Sequence, residues 1–270
     1  GEAASRVDLG FPGTQDALMQ ELKKLGKPMV LVLMSGRPMT INWADEHLDS
    51  ILHTWYAGTQ GGHAIADVLY GDYNPAGKLP VTFPRHVGQI PIYYNMKNTG
   101  RPYEPEGPEQ KYRSRYLDSS NQPLYPFGYG LSYTSFAYSA VTLSSAQLSP
   151  EGEITASVTL TNTGDRAGEE VVQLYIQDKT ASVTRPVREL KGFQKIMLGK
   201  GESKTVQFRI KATDLAFYNL GMDYVAEAGE FNLFIGTDSS TSNQAAFRLT
   251  DSVQLQSAMA ITQPQSRGMQ

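Results

Sequence analysis

The first side chains whose types could perform chemistry lie within eight residues of the start of the sequence. Glu2 precedes three small residues, and Arg6 and Asp8 follow them. A carboxyl group can donate or accept a proton in a reaction. Arg6 and Asp8 can also form a local ion pair ahead of a helix, which contributes little stability when it is exposed. Residue type and spacing alone do not decide between a catalytic and a structural role.

Other kinds of reactive site lack their characteristic motifs. The sequence has no cysteine, which excludes thiol nucleophiles, thiolate metal sites and disulfides. The MSGRP segment at 34–38 lacks the first glycine of a serine hydrolase elbow, and GTQGGHA lacks the dinucleotide and P-loop patterns. None of the histidines has metal-binding spacing, and we interpret them as surface or packing residues: His47, His53, His63 and His86. The remaining candidate functions are catalysis by carboxyl groups and binding, and neither implies a metal or a cofactor.

Composition and charge restrict the partners. The chain has 270 residues, 40% of them hydrophobic, and a net charge of −3. There is no basic excess to neutralise phosphates, so we expect no nucleic-acid partner. The longest apolar run, MVLVLM at 29–34, is far shorter than the roughly 20 residues that span a membrane. We therefore expect a globular chain of one large domain or two ordinary ones.

The first 80 residues have the pattern of an α/β unit. Residues 12–26 are predicted to be a helix, with Pro12 in its first turn, leucines at 18, 22 and 25 on one face, and Gly26 as its end. The runs at 29–34 and 51–58 are predicted strands of a parallel sheet buried on both faces, and GGHAIADVLYG is a further helix. Two strands are too few for such a sheet, so we expect its remaining strands upstream of Gly1.

The remainder of the chain changes character twice. Residues 81–135 are rich in Pro, Gly, Tyr and Asn and are predicted to be an extended connector packed on its neighbours. Its segments 98–103 and 111–118 either contact a sugar or clamp the two flanking domains together. From about 136 to 250 the hydrophobic period is two, which predicts an antiparallel β-sandwich. Residues 251–270 have weak patterning and are expected to be a disordered tail.

Several long segments resemble family 3 glycoside hydrolases, of the bacterial periplasmic β-glucosidase type. The segments are GEAASRVDLGFPGTQ, WYAGTQGGHAIADVLYGDYNPAGKLPVTFPR, LYPFGYGLSYTSF, TNTGDRAGEEVVQLYI, RPVRELKGFQKI and AGEFNLFIGTDS. They occur in the family's order over about residues 1–250. The resemblance implies a partial α/β sandwich, a parallel-sheet fragment over 1–80, followed by a fibronectin type III-like domain over 136–250. It also implies a preceding barrel with an Asp nucleophile, which this sequence lacks.

The resemblance assigns a role to Glu2. This residue matches the acid/base Glu of the family's Ser-Gly-Glu motif, and it is the one catalytic residue that we predict. The implied reaction is retaining hydrolysis of terminal, non-reducing β-D-glucosyl residues, in β-glucosides or short β-linked oligosaccharides, with the barrel as the missing partner. The implied location is periplasmic or secreted. Two alternative functions stay open: a β-xylosidase or another exo-glycosidase of the same family, and a non-catalytic interaction module. A homodimer is a possible assembly.

Overall fold

The computed structural model of the protein describes residues 3–102 and 111–255. Its first part alternates helices and strands, in the order α1 (Gln15–Lys23), β1 (Val30–Leu33), α2 (Asn42–His47), β2 (Ser50–His53) and α3 (Gly61–Tyr70). Apolar runs alternate with helical segments in such a unit because each strand buries side chains under a neighbouring helix. The predicted order of helix, strand, helix, strand and helix is confirmed.

Strands β1 and β2 form a two-stranded parallel sheet. Val30 lies opposite Ser50, and Leu33 lies opposite His53. Burial is less complete than predicted, because Leu33 is 3% exposed whereas Val30 is 49% exposed. The sheet has no further strand among the described residues, so the described fold leaves part of its surface uncovered. The burial on both faces that the sequence predicts for the complete sheet is therefore not reached within the described residues.

Helix α1 begins later than predicted, at Gln15 instead of Pro12. Gly13 has a φ of 60°, in the left-handed region, and it separates Pro12 from the helix. At the other end Gly26 also has a positive φ, and its N–H donates to the carbonyl of Lys23 at 3.1 Å. A glycine in this conformation ends a helix because it costs no side-chain clash, so the predicted glycine stop is confirmed.

The predicted apolar face of α1 is exposed. Leu18, Leu22 and Leu25 are 58%, 43% and 67% exposed, whereas Met19 is buried. Leucines with this spacing ordinarily pack against a core. Within the described part of the chain they present an apolar surface instead.

The connector packs against the α/β unit through its own backbone. Phe83 donates its N–H to the carbonyl of Tyr125 at 2.9 Å, and Leu124 donates to the carbonyl of Phe83 at 2.9 Å. Phe83 and Leu124 are 1% and 8% exposed and share a small core with Leu33 and Ile41. A short 3₁₀ turn spans Val87–Gln89. The connector is therefore packed on its neighbours at this point, as the sequence predicts.

The second part of the chain is a β-sandwich. Its elements are β3 (Phe136–Tyr138), β4 (Thr142–Leu143), β5 (Gln147–Leu148), β6 (Glu153–Asn162), β7 (Gly168–Asp178), β8 (Glu189–Leu198), β9 (Ser203–Lys211), α4 (Ala212–Leu215), β10 (Phe217–Tyr218), β11 (Tyr224–Ala226), β12 (Gly229–Gly236), β13 (Gln244–Leu249) and β14 (Val253–Gln254). One sheet has the order β5-β13-β12-β7-β8, and in the other β6 pairs with β3, β4 and β9. All these pairs are antiparallel except β13 with β5.

Alternating side chains build the core of the sandwich. In β6, Ile154, Ala156, Val158 and Leu160 are each at most 2% exposed, and the residues between them are less buried. This is the period of two that the sequence predicts for a strand with one face on a core. β7 differs, because Tyr175 on its other face is also buried, in ring contact with Tyr94 of the connector. The connector thus covers part of the outer face of this sheet.

The segment predicted to be a disordered tail begins with a strand. Val253–Gln254 form β14, which pairs with β11 through Val225 and Ala226. The weak sequence patterning conceals this strand because it is two residues long. The rest of the predicted tail, 256–270, lies outside the described residues. Over residues 3–102 and 111–255, no helix combines the length and the apolar character needed to cross a membrane.

Candidate active site

The predicted catalytic residue, Glu2, lies outside the described residues. The structure does describe the loop that follows it, residues 3–10, which we call the N-terminal loop. The loop lies beyond the carboxyl end of β1, where Thr40 donates its N–H to the carbonyl of Leu9 at 3.1 Å. Leu9 is buried, whereas residues 3–8 are exposed. Ligands bind beyond the carboxyl ends of parallel strands in open α/β sheets, so this is a favourable edge for a site.

Arg37 joins the N-terminal loop to the sheet. Its guanidinium donates through Nη1 to the carbonyl of Arg6 at 2.5 Å and through Nη2 to the carbonyl of Asp8 at 2.9 Å. Nη1 also lies 3.5 Å from Oγ of Ser5. Arg37 follows the last residue of β1 by four positions, so these bonds run from the strand's carboxyl end to the loop. Sequence reasoning did not single out Arg37, although its place just after a buried strand is a signal that could have identified it.

Arg6 and Asp8 form the local ion pair that is one of the two predicted interpretations. Nη2 of Arg6 lies 3.3 Å from Oδ2 of Asp8, and the two side chains are 45% and 72% exposed. Oδ1 of Asp8 also accepts the N–H of Gly10 at 2.9 Å. An ion pair this exposed contributes at most about 1 kcal/mol. Its effect is to hold the conformation within the loop, whereas Arg37 connects the loop to the fold.

Aromatic side chains follow β2 at the same edge. Tyr56 is 85% exposed, and its ring lies so close to Gly36 that a Cβ atom there would overlap it. Trp55 has a φ of 52°, which is unusual for a bulky residue, and its ring lies 4.1 Å from that of His53. The turn that carries Arg37 is therefore packed against the segment that follows β2.

His53 is a packing residue, in agreement with the prediction for the histidines. Its Nδ1 lies 3.0 Å from the carbonyl of Leu33, and its Nε2 is buried without a hydrogen-bond partner in the described structure. Burial lowers the pKa of His53, because removal from water disfavours the charged ring, and the bond to Leu33 opposes this. Within the described residues no three His, Cys, Asp or Glu side chains are grouped as metal ligands would be.

The connector segments considered as sugar contacts bond to each other. The N–H of Ser114 donates to the carbonyl of Arg101 at 3.2 Å, and Nη1 of Arg113 donates to the carbonyl of Pro102 at 3.2 Å. Tyr103, the last residue of the first segment, and residues 104–110 between the two segments lie outside the described residues. These contacts join the two segments to each other, and both interpretations, a sugar contact and a clamp between the flanking domains, stay predictions.

Two family models match the chain. The model of the glycosyl hydrolase family 3 C-terminal domain matches residues 1–133, and that of the fibronectin type III-like domain matches residues 170–239. The first match contains the N-terminal loop, the α/β unit and nearly all of the connector. The second lies within the β-sandwich.

Relatives and solved structures agree with these models. The chain is 58% identical over 248 residues to a periplasmic β-glucosidase of Salmonella typhimurium, covering 92% of this chain and 32% of that protein. It is 42% identical over 254 residues to a β-xylosidase of Formosa agariphila, covering 93% of this chain and 34% of that one. A crystal structure of a β-glucosidase from Listeria innocua in complex with glucose matches with a TM-score of 0.88 and 42% identity, covering 93% of this chain and 35% of that one.

The chain thus spans about a third of the length of the relatives that it matches. Taken in order, the two family models cover the α/β unit and the part of the sandwich between residues 170 and 239. The chain belongs to glycoside hydrolase family 3, and it corresponds to the C-terminal part of that family's members.

Proposed function

We propose that this chain supplies the acid/base residue and the accessory domain of a retaining β-glucosidase, whose nucleophile lies on a barrel outside this sequence. The substrates are β-glucosides or short β-linked oligosaccharides, from which the enzyme removes the terminal non-reducing glucose. The observation that carries the proposal is the 58% identity to a periplasmic β-glucosidase over nine-tenths of this chain. The same similarity supports a periplasmic location.

Glu2 has two tasks in this reaction. Protonated, it donates its proton to the glycosidic oxygen while the barrel's Asp attacks the sugar, and ionised, it then removes a proton from the water that releases glucose. Retaining enzymes hold these two carboxyl groups about 5–5.5 Å apart. The first task needs a carboxyl group with a raised pKa, which burial against the barrel and the neighbouring Asp would provide. We therefore propose that Glu2 acts only when the barrel is in place.

The described fold is consistent with a covering partner on the α/β unit. Its sheet has two strands, Val30 at its edge is half exposed, and the leucines of α1 are exposed. Exposed apolar faces of this kind ordinarily indicate an interaction site. We propose that residues 1–80 complete an α/β sandwich together with chain outside this sequence, and that the connector, 81–135, joins this sandwich to the fibronectin type III-like domain, 136–250.

The experiment compares the enzyme that contains both the barrel and this chain with its Glu2→Ala variant, on 4-nitrophenyl β-D-glucoside. We expect hydrolysis by the parent enzyme and a rate of hydrolysis about 10²–10⁴-fold lower in the variant, because general acid–base catalysis contributes that much to the rate. Azide should restore turnover in the variant and give β-glucosyl azide, since a small anion needs no base to attack the glucosyl-enzyme. The 270-residue chain alone should be inactive.

Three results would contradict this proposal: hydrolysis by the chain alone, a fully active Glu2→Ala variant, or no azide product. The β-xylosidase alternative has its own support, the 42% identity to a β-xylosidase. Parallel assays on 4-nitrophenyl β-D-xyloside separate the two sugars. A larger kcat/KM on the xyloside would favour the alternative without changing the role of Glu2. An inactive protein that binds a separately encoded barrel would instead support an interaction module.

A further inference from the structure

We propose that Arg37 is a positioning residue for the acid/base loop, a role that rests on the proposed function of Glu2. Arg37 does not itself touch the reacting atoms in this proposal. It holds the backbone just after Glu2 at the carboxyl edge of the parallel sheet. The acid/base carboxyl thereby keeps the position from which it can transfer a proton.

The contacts of Arg37 suit this task. Its two terminal nitrogens donate to two backbone carbonyls, those of Arg6 and Asp8, at 2.5 and 2.9 Å. A planar guanidinium can hold two acceptors at once in a defined orientation, which a lysine ammonium cannot do as well. Because the acceptors are backbone atoms, the clamp fixes the path of the loop itself.

The loop depends on this clamp for its attachment. Residues 3–8 are exposed, so no apolar packing into the described core holds them. The hydrogen bonds that join Ser5, Arg6 and Asp8 to the rest of the described fold come from Arg37, and Leu9 is bonded separately to Thr40. Glu2 is three residues from Ser5, a stretch that spans at most about 10 Å. Fixing residues 5–8 therefore restricts where Glu2 can lie.

Arg37 is itself held in place. Oγ of Ser35 donates to the carbonyl of Arg37 at 2.9 Å, and the Tyr56 ring packs onto Gly36 between them. This turn follows directly from β1, so the clamp is built on a strand end and not on a free loop. Supporting residues of this kind matter because a misplacement of about 1 Å can cost 10²-fold in rate.

The test uses leaving-group dependence, which reports on proton donation and not on folding. In the full enzyme, phenyl β-D-glucoside needs a proton on its leaving oxygen, whereas 2,4-dinitrophenyl β-D-glucoside needs almost none. We expect Arg37→Ala to lower kcat/KM about 10²-fold on the phenyl substrate and only a few-fold on the dinitrophenyl substrate. Arg37→Lys keeps the charge and one donor direction, so it should fall between Ala and the parent. Azide should raise kcat of Arg37→Ala on the dinitrophenyl substrate.

Asp49→Ala is the matched control. Asp49 lies at the opposite, amino end of the same sheet, where Oδ2 accepts the N–H of Met29 at 2.9 Å and a bond from Lys23 at 3.2 Å. Its loss loosens the same unit, so any loss of kcat/KM should be equal on the two substrates. An equal loss on both substrates in Arg37→Ala would overturn the positioning role. If Glu2→Ala itself shows no leaving-group dependence, the proposed function fails, and the role of Arg37 falls with it.

Discussion

His53 shows at the scale of one residue how burial selects a protonation state. Its ring packs edge-on against Phe83, with the centroids 5.5 Å apart, and only Nδ1 has a hydrogen-bond partner in the described structure. A proton on Nε2 would place a charge in this apolar contact, and burial therefore lowers the pKa of the imidazole. The neutral ring with its proton on Nδ1 can donate to Leu33 without that cost.

This lowered pKa predicts a loss of stability in mild acid. The unfolded chain has a histidine pKa of about 6.5, so below that pH it binds more protons than the folded chain. The free energy of unfolding should therefore fall as the pH drops from 6.5 to the folded pKa. Urea unfolding of the parent and His53→Gln proteins at several pH values measures it. His53→Gln keeps a donor for Leu33, and its loss of stability between neutral and acid pH should be smaller.

His63→Gln is the control for this prediction. His63 is an exposed residue of α3. His63→Gln makes the same chemical replacement at the surface, so its pH dependence of unfolding is the reference against which that of His53→Gln is compared. A His53→Gln protein with the same pH dependence as the parent would show that His53 does not contribute.

At the scale of elements, the C-terminal part of the connector pairs closely with the residues that precede its N-terminal end. Leu79 donates its N–H to the carbonyl of Tyr129 at 2.8 Å, and Gly128 donates to the carbonyl of Leu79 at 2.7 Å. Gly130 lies against Gly77, and a Cβ atom at position 130 would overlap the Gly77 carbonyl oxygen. The glycine is required here because the obstacle is backbone, which cannot rotate away as a side chain can.

Gly130→Ala should therefore separate these segments. We expect a destabilisation of about 1–3 kcal/mol, the usual cost of inserting atoms into a packed site. Gly88→Ala is the matched control, since a Cβ atom there meets nothing within 4 Å. Urea unfolding of both variants measures the difference. Equal stability of the two variants would contradict the argument.

At the scale of the whole molecule, a buried ion pair joins the segment after α3 to the sandwich. Nζ of Lys78 lies 3.1 Å from Oε2 of Glu170, and the two side chains are 11% and 6% exposed. Lys78 also donates to the carbonyl of Gly130 and to Thr237, and Tyr138 donates to Glu170 at 2.9 Å. Burial, with the nearby Glu170 charge, raises the pKa of Tyr138, so it remains a donor. The polar groups of this network are well supplied with partners.

Removing one charge of this pair should lower the free energy of unfolding strongly, because the other charge stays buried. Glu170→Gln leaves the Lys78 charge buried without its counter-charge, which typically costs about 3–5 kcal/mol. Lys78→Met leaves Glu170 in the same situation. The double variant should lose less than the sum of the two, with a coupling of about 0.5–3 kcal/mol. A double-mutant cycle of unfolding free energies measures this coupling.

The exposed pair of Lys24 and Glu21 serves as the reference for that cycle. The two side chains are 67% and 68% exposed, and their charged atoms lie 2.6 Å apart. Their coupling should stay below about 1 kcal/mol, because water screens both charges. If the losses of unfolding free energy from the Lys78 and Glu170 substitutions simply add, the two side chains do not stabilise each other in the folded protein.

Local pattern was enough to predict much of this protein. The alternation in β6 and the glycine after α1 are properties of neighbouring residues, and so is the order of helices and strands in the first 80 residues. The motifs, in their order along the sequence, also indicate the family, because they preserve the residue types that the backbone of this family requires. The role proposed for Glu2 rests on that resemblance, since a single carboxyl group has no distinguishing spacing.

Only the tertiary structure shows the clamp of Arg37 and the pairing of Lys78 with Glu170. These contacts join residues 31 and 92 positions apart in the sequence, and the path of the chain between them decides whether they meet. The exposure of Leu18 and Leu22 is also visible only in the tertiary structure. Periodicity indicates which side chains share a face of a helix, but it does not indicate what covers that face. The sequence by itself thus determined the elements and the family, whereas the tertiary structure decided the contacts, since these depend on chain segments distant in sequence.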